Sequence, residues 1–467
     1  MIRTRNTPRL ALFAAISMLL MSGCNDTLRQ FITAVPGPGG NPAGAPSHAI
    51  VLSTNPATPS DGSVAVGSDL HIDVSGDTVV GVVPVGPNPV FLGKTTNRAF
   101  ILDGQGATPN GAATVTSYIA LLPQSSTPTT TTLPAGTDPV AGGFSSSGNF
   151  YLVQSANIDP TIPGLNNAGM IAANVNAITT TIPVGTNPVA VVGNNSNNKV
   201  YVVNQGSNDV TVISTIDNFV LSTIPVGTSP IWGVMATDGV HAFIVNQGSN
   251  DVSVIDTFLD KVIATIPVGS SPNYAVFEPT NQRVYVSNTG SPVISVIKAN
   301  GIDLANQVLP TKIADIPIPA PATSVAALPD GSRAYAAMGG CPAGTNHTNI
   351  LASLVADPPT TCLGNQVAVI DTQALALKKL ITVGEGAVSI DAAGNSQRVY
   401  VIGANITVPN PNPALLPLRA ANVSIINTAD DTVLNTVPIP QQSLGCQNPK
   451  ACPQNATQIP FMVRVFP

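Results

Sequence analysis

Tyr201-Val202-Val203-Asn204-Gln205-Gly206-Ser207-Asn208-Asp209-Val210-Thr211-Val212-Ile213 sets two short apolar runs on either side of a polar turn. β-Branched and aromatic residues suit extended strands, and Asn, Gly, Ser and Asp suit the tight turn between them. The segment 204–210 recurs letter for letter at 246–252, an offset of 42, and a looser copy, Asn288-Thr289-Gly290-Ser291, follows another 42 on. Ile182-Pro183-Val184-Gly185 recurs at the same spacing from Ile224 and from Ile266. A fixed period of this length marks a repeat architecture. Weaker markers begin at Val83, Leu133, Ile316, Ile381 and Val437, eight in all.

One unit, 230–269, reads as four strands at 231–235, 242–245, 252–256 and 262–266, with Asp238-Gly239 as the first hairpin turn. Four antiparallel strands in roughly 40–45 residues is the arithmetic of a β-propeller blade. The Tyr201–Ile213 stretch resembles the YVTN-type propeller repeat, with Val203 where Thr names the family. The likeness is strong over 182–297 and extends with insertions over 48–467. It implies a ring of blades in a secreted or surface protein, and it implies no chemistry, because the family shares none.

The expected fold is therefore all-β: a propeller of four-stranded antiparallel blades. An aromatic opens the second strand at Phe100, Tyr151, Tyr201, Phe243, Tyr285, Tyr335 and Tyr400, with Ile50 in the matching place. The run 460–466 reads as a first strand with nothing after it, and 48–86 as strands two to four with nothing before them. Joined, they make one composite blade that closes the ring without a free edge. Eight blades result, or seven if the ragged 90–150 region is not a full blade.

Composition agrees. Of 467 residues, 43% are hydrophobic, 4% aromatic and 9% charged, with 40 Gly and 43 Pro. Helix breakers at that density exclude a bundle, and the supply of Val, Ile and Leu excludes general disorder. Net charge is −6, and −9 without residues 1–23, which argues against nucleic acid as a partner. Four His and two Glu are a thin inventory for acid–base catalysis or metal binding. No nucleophile elbow, zinc-protease, P-loop or calcium-loop motif occurs, and no cofactor is expected.

Residues 1–23 carry Arg3, Arg5 and Arg9 before an apolar stretch too short to span a bilayer. Leu20-Met21-Ser22-Gly23-Cys24 resembles a bacterial lipobox, which implies cleavage before Cys24 and an acyl anchor, palmitate among its chains, on that residue. An ordinary secretory signal is the alternative. Asn25 after the cysteine leans towards the outer membrane. Residues 24–47 form a lipidated, Gly/Pro-rich tether, and 48–467 the propeller. The lipid is the expected membrane contact, and the closed ring is expected to be a monomer. Cys341/Cys362 and Cys446/Cys452 are expected disulfides of an exported protein. Zinc, the alternative, lacks CxxC spacing and nearby His.

Three site readings follow. The aromatic series belongs to the inter-blade core or to a stacked ligand, the core being the simpler account. Arg98, Lys199, His241, Arg283, Arg333 and Arg398 precede those aromatics by two and should share one face with Asp77, Asp217, Asp260 and Asp430, as a charge-balancing girdle or an anion ring. The opposite face offers Gln205, Asn208, Asp209, Gln247, Asn250 and Asp251, with Trp232 near the mouth. Those same residue types are also what tight turns require. The functional expectation is an envelope-anchored, non-catalytic binding or scaffolding module for an unknown protein or small molecule. The alternative is a propeller enzyme of lyase or lactonase type acting on a small exported metabolite, which needs histidines and acids to converge.

Overall fold

The computed structural model describes residues 48–465 except 55–66, 87–88, 95–97, 105–112, 120–126, 134–138, 155–165, 173–176, 195, 303, 305, 307, 340–363, 409–417 and 440–458. Cys24 and its lipobox lie outside the described residues. So do Cys341 and Cys362, the first expected disulfide, and Cys446 and Cys452, the second. The described residues therefore contain neither bridge, and the two pairings stand as expectations from the sequence. Among the described residues there is no helix, and the strands form eight antiparallel sheets of four.

Blade 1 comprises Pro89–Lys94, Arg98–Asp103, Thr114–Ile119 and Thr129–Thr132. Blade 2 runs from Pro139–Phe144 to Ile178–Pro183, blade 3 from Pro188–Asn194 to Val220–Pro225, and blade 4 from Pro230–Met235 to Lys261–Pro267. Blade 5 runs from Pro272–Glu278 to Thr311–Pro317, blade 6 from Ser324–Ala327 to Ala376–Thr382, and blade 7 from Ala387–Ala392 to Thr432–Pro438. Blade 8 is the composite: Ile459–Val465 pairs antiparallel with His48–Thr54, and Ser68–Asp73 and Thr78–Pro84 follow. The 90–150 region does hold a full blade, so the count is eight. Innermost strands pack each on the next around the ring, and the innermost strand of blade 8 meets that of blade 1.

The regularity follows from the 42-residue period. In each blade Val, Ile and Ala alternate on the middle strands, and both faces of those strands are covered by neighbouring blades. Tyr201 pairs with Val212 within blade 3 and is fully buried in the seam towards blade 4. Phe100, Tyr151, Phe243, Tyr285, Tyr335, Tyr400 and Ile50 are buried in the same way, so the series is core. Truncating one such ring to Ala would cost about 3–5 kcal/mol. First and third turns of every blade lie on one face, here the turn face. Second turns and the links between blades lie on the other, the link face.

Candidate functional site

On the link face the repeated letters build a belt of hydrogen bonds. Asn204 Nδ2 donates to Asp209 Oδ1 at 2.6 Å and Thr211 Oγ1 at 2.9 Å, and Asn246 Nδ2 does the same to Asp251 and Ser253. Asn208 and Asn250 take left-handed backbone (φ 58° and 57°), which Asn tolerates. Their Oδ1 atoms accept from the backbone N–H of Ser229 and Ser271 in the next link, each at 2.7 Å. Gln205 Oε1 accepts from Asn187 Nδ2, and Gln205 Nε2 donates to Ser229 Oγ. The backbone N–H of Gln247 donates to the Ser229 carbonyl, while Gln247 Nε2 is buried without a hydrogen-bond partner. Link glycines have no room for a side chain: a Cβ on Gly227 would stand 2.6 Å from Asn246 Nδ2 and 2.4 Å from Ser249 Oγ. Ser229 thus joins Gln205, Asn208 and Gln247, and the candidate polar residues of blades 3 and 4 form one connected structure.

The belt opens at the seam of blades 6 and 7. Gly403 pairs with Asn422 as Asn204 pairs with Asp209, so the donor carboxamide is missing there, as it is in blade 6, where Met338 pairs with Gln366. Asn422 Oδ1 is buried with no hydrogen-bond partner, as are Asn204 Oδ1 and Asn246 Oδ1 in the closed belt. A depression of about 440 Å³ lies at this point, lined by Gly384, Glu385, Asn422, Ser424 and Thr436 among others. Glu385, one of only two glutamates in the chain, follows the link glycine.

Trp232 sits half-buried on the innermost strand of blade 4. Its Nε1–H donates to the Ala275 carbonyl at 3.1 Å, and its ring lies 4.8 Å from that of Tyr274 on blade 5, tilted by 34°. Burial raises the Tyr274 hydroxyl pKa, against a hydrogen bond from Arg464 on blade 8 and beside Asp391 on blade 7. Blades 5 and 8 are not neighbours, so the Tyr274–Arg464 contact reaches within the ring past blades 6 and 7.

The turn face carries the expected girdle, with three corrections. Lys199 Nζ lies 2.9 Å from Asp260 Oδ2, and Arg398 Nε 3.2 Å from Asp77 Oδ2, each pair bridging consecutive blades. The acid facing Arg333 is Asp431, not Asp430, and the residue facing Tyr151 is Asn218, not Asp217. In both turns the second polar residue takes left-handed backbone and points into the seam. His241 bonds Asp238 of its own hairpin instead of a neighbouring blade. Burial raises Asp431, but hydrogen bonds from Lys378, Tyr335 and Arg333 outweigh it, and its carboxyl lies below the usual value. The girdle is charge-balancing where these pairs form.

One constellation was not legible in the sequence. Between blades 8 and 1, the Tyr118 hydroxyl donates to Asp69 Oδ2 at 2.6 Å and lies 2.8 Å from His71 Nε2. The His48 ring packs edge-on against His71 at 5.9 Å. Asp69 and His71 are fully buried and His48 nearly so. Burial pushes Asp69 up to about 8 and His71 down to about 3, so both are neutral at pH 7. Asp69 and Tyr118 stand 49 positions apart on different blades, and no local spacing announces them. Among the described residues no group of three His, Cys, Asp or Glu is placed to hold a metal ion, and no helix is long and apolar enough to cross a membrane.

No family model matches the chain, and no curated protein matches it. Solved structures do. The dihydro-heme d1 dehydrogenase NirN in complex with DHE aligns with a TM-score of 0.59 at 12% identity, over 84% of this chain and 73% of that one. Apo AztD from Citrobacter koseri aligns at 0.54 and 11%, over 90% and 98%. Hydrazine synthase from Kuenenia stuttgartiensis gives 0.41 at 19%, and this chain spans 66% of its length. At these identities NirN and AztD attest the propeller fold alone.

Proposed function

We propose that this chain is an envelope-anchored lipoprotein of YVTN type, acylated at Cys24, whose propeller is a non-catalytic binding or scaffolding module. One observation carries the reading. The belt that closes the link face at blades 3 and 4 is open at the seam of blades 6 and 7, where Glu385 and Asn422 line a depression. Loops on a rigid ring are where such scaffolds bind, and a carboxylate beside a carboxamide in a depression offers acceptors to a ligand's donors. Asp69 and His71, by contrast, are fully buried inside a seam. A photo-crosslinking residue at Glu385, in the intact envelope, should give discrete adducts, while the same residue at Asp209 should not. Adducts at neither position, or equally at both, would remove the site from this face.

The rival enzyme reading has one observation in its favour, the meeting of His48, His71, Asp69 and Tyr118. Their burial requires the seam to open before any substrate could reach them. Hydrolysis of a lactone panel that Tyr118→Phe abolishes, in a protein of unchanged melting temperature, would restore that reading.

A further inference from the structure

The third turns share one backbone: a two-residue tip followed by a residue with φ near +50°, at Asp77, Asn218, Asp260, Leu375 and Asp431. The tip itself asks for nothing apolar. It is Ser75-Gly76 in blade 8, Gln373-Ala374 in blade 6 and Ala429-Asp430 in blade 7. Blades 3 and 4 depart from this. Their tips are Ile216-Asp217 and Phe258-Leu259, with Ile216 70%, Phe258 69% and Leu259 54% exposed, and Phe219 50% exposed just after the first. Large apolar side chains clustered on adjacent turns in water mark an interaction surface. Lys261 and Lys298, both exposed, stand on the same face beside them.

The chain also enters the ring on this face. His48 opens its strand as Lys199 opens the matching strand of blade 3, at the turn-face end. In a ring of eight, blade 8 stands opposite blade 4. A tether at one rim and an apolar contact at the other would lay the turn face flat on whatever holds the tether. We propose that this face docks on a lipid bilayer, with Ile216, Phe219, Phe258 and Leu259 in the interfacial layer and the two lysines at headgroup level. Apolar tips beside lysines, with Asp217 the one exposed acid in the two tips, are the composition of interfacial anchors. The proposal rests on the Cys24 anchor only for its strength. A tether over 25–47 reaches roughly 80 Å when extended and holds the face at an effective concentration on the order of millimolar, so weak intrinsic docking suffices.

The test uses the mature full chain on phosphatidylethanolamine–phosphatidylglycerol vesicles whose acyl chains carry bromine. Phe258→Trp and, on the link face, Thr228→Trp, an exposed position, report lipid contact after subtraction of native Trp232 emission. Quenching at position 258 at least threefold that at 228 is expected. Equal quenching, or none at 258, overturns the proposal. The mass of the N-terminal peptide reads acylation separately. An acylated protein with unquenched Trp at 258 defeats docking alone, whereas a quenched but unacylated one keeps docking and defeats the anchor. Shielding of position 258 from acrylamide without vesicles, in step with self-association, would assign the patch to a second copy and also overturn it.

Discussion

The seam between blades 3 and 4 and the seam between blades 8 and 1 occupy the same place in the repeat and are held by opposite chemistry. In the first, the Tyr201 hydroxyl reaches Asp260 at 3.3 Å and Lys199 closes on the same carboxylate at the rim. In the second, Ile50 stands where Tyr201 stands and brings no hydroxyl. The polar link is Tyr118, reaching the other way from blade 1 into Asp69 and His71 at full burial. Rim pairs tolerate charge because water screens what the partner does not. The closing seam holds together only while its acid and its imidazole stay neutral. One fold thus carries two kinds of seam with different responses to mutation and pH.

The most damaging change should be at a rim acid that serves three donors. Asp431 accepts from Tyr335 at 2.7 Å, Lys378 at 2.6 Å and Arg333 at 3.3 Å. Asp431→Ala leaves two cations and a buried hydroxyl unpaired and should lower unfolding free energy by about 3 kcal/mol. Asp431→Asn keeps the left-handed backbone and an acceptor for Tyr335, and should cost about 1 kcal/mol. Denaturant titration of the two variants separates them. Equal losses would mean that the backbone, and not the seam, needs the acid.

The closing seam should show itself in pH. Asp69, raised to about 8, binds a proton in the folded chain that the unfolded chain has released, so its contribution to stability is lost as pH climbs through 8. His71, lowered to about 3, acts in the opposite direction between there and its ordinary value of 6.5. The two offset each other in mild acid. Asp103, raised to about 7 by burial, adds to the fall near neutrality. Between pH 7 and 8 Asp69 dominates, and the native chain should lose up to about 1.4 kcal/mol per pH unit. Asp69→Asn should flatten that slope. Melting curves at pH 7 and 8 decide it, and an unchanged slope would mean that water reaches the seam.

A smaller effect is expected on the link face. Asn246→Ala removes both donors that tie buried Ser253 and Asp251, of which water can reach only Asp251 in part. About 1 kcal/mol should be lost, without change in the pH profile of the closing seam.

The blades, their number and the closing pair of terminal strands were legible because each depends on a period or an alternation, such as Ile182, Ile224 and Ile266 at one spacing. The girdle was legible in kind but not in residue. Asp217-Asn218 and Asp430-Asp431 each offer two adjacent polar residues, and only the backbone decides which takes positive φ and points inward. The Asp69–Tyr118–His71 link was hidden because its members meet across blades, from strands whose pattern reads as ordinary alternation. The link-face residues Gln205, Asn208, Asp209, Gln247, Asn250 and Asp251 were visible as letters. Their mutual bonding was not, since it runs from one blade's turn into the next blade's link.

The mildest change should be a gain, at the one girdle position where the repeat carries the wrong residue. Leu375 occupies the left-handed site in the third turn of blade 6 (φ 51°), where the neighbouring turns have Asp or Asn. The consequence appears one blade back. Tyr285 of blade 5, whose counterparts bond that residue, has a buried hydroxyl with no acceptor to donate to, only the Arg283 guanidinium beside it. Arg283 in turn settles for the Thr372 carbonyl. Leu375→Asp would ease the backbone, since a short polar side chain tolerates positive φ better than a branched one. It would also give Tyr285 and Arg283 the acceptor that Asp431 gives Tyr335 and Arg333. Against this stands the partial burial of Leu375 against the blade 5–6 core, which the substitution forfeits. Restoring a satisfied buried hydroxyl contributes about 1 kcal/mol and relief of the turn adds to it. The lost apolar contact of a half-exposed leucine takes back about the same as one of these. A net gain of about 0.5–1 kcal/mol is expected from these opposing effects, read as a rise in melting temperature. Leu375→Ala, which removes the contact and supplies no acceptor, should be destabilising. If both variants lower the melting temperature equally, the packing of Leu375 outweighs the missing seam bond.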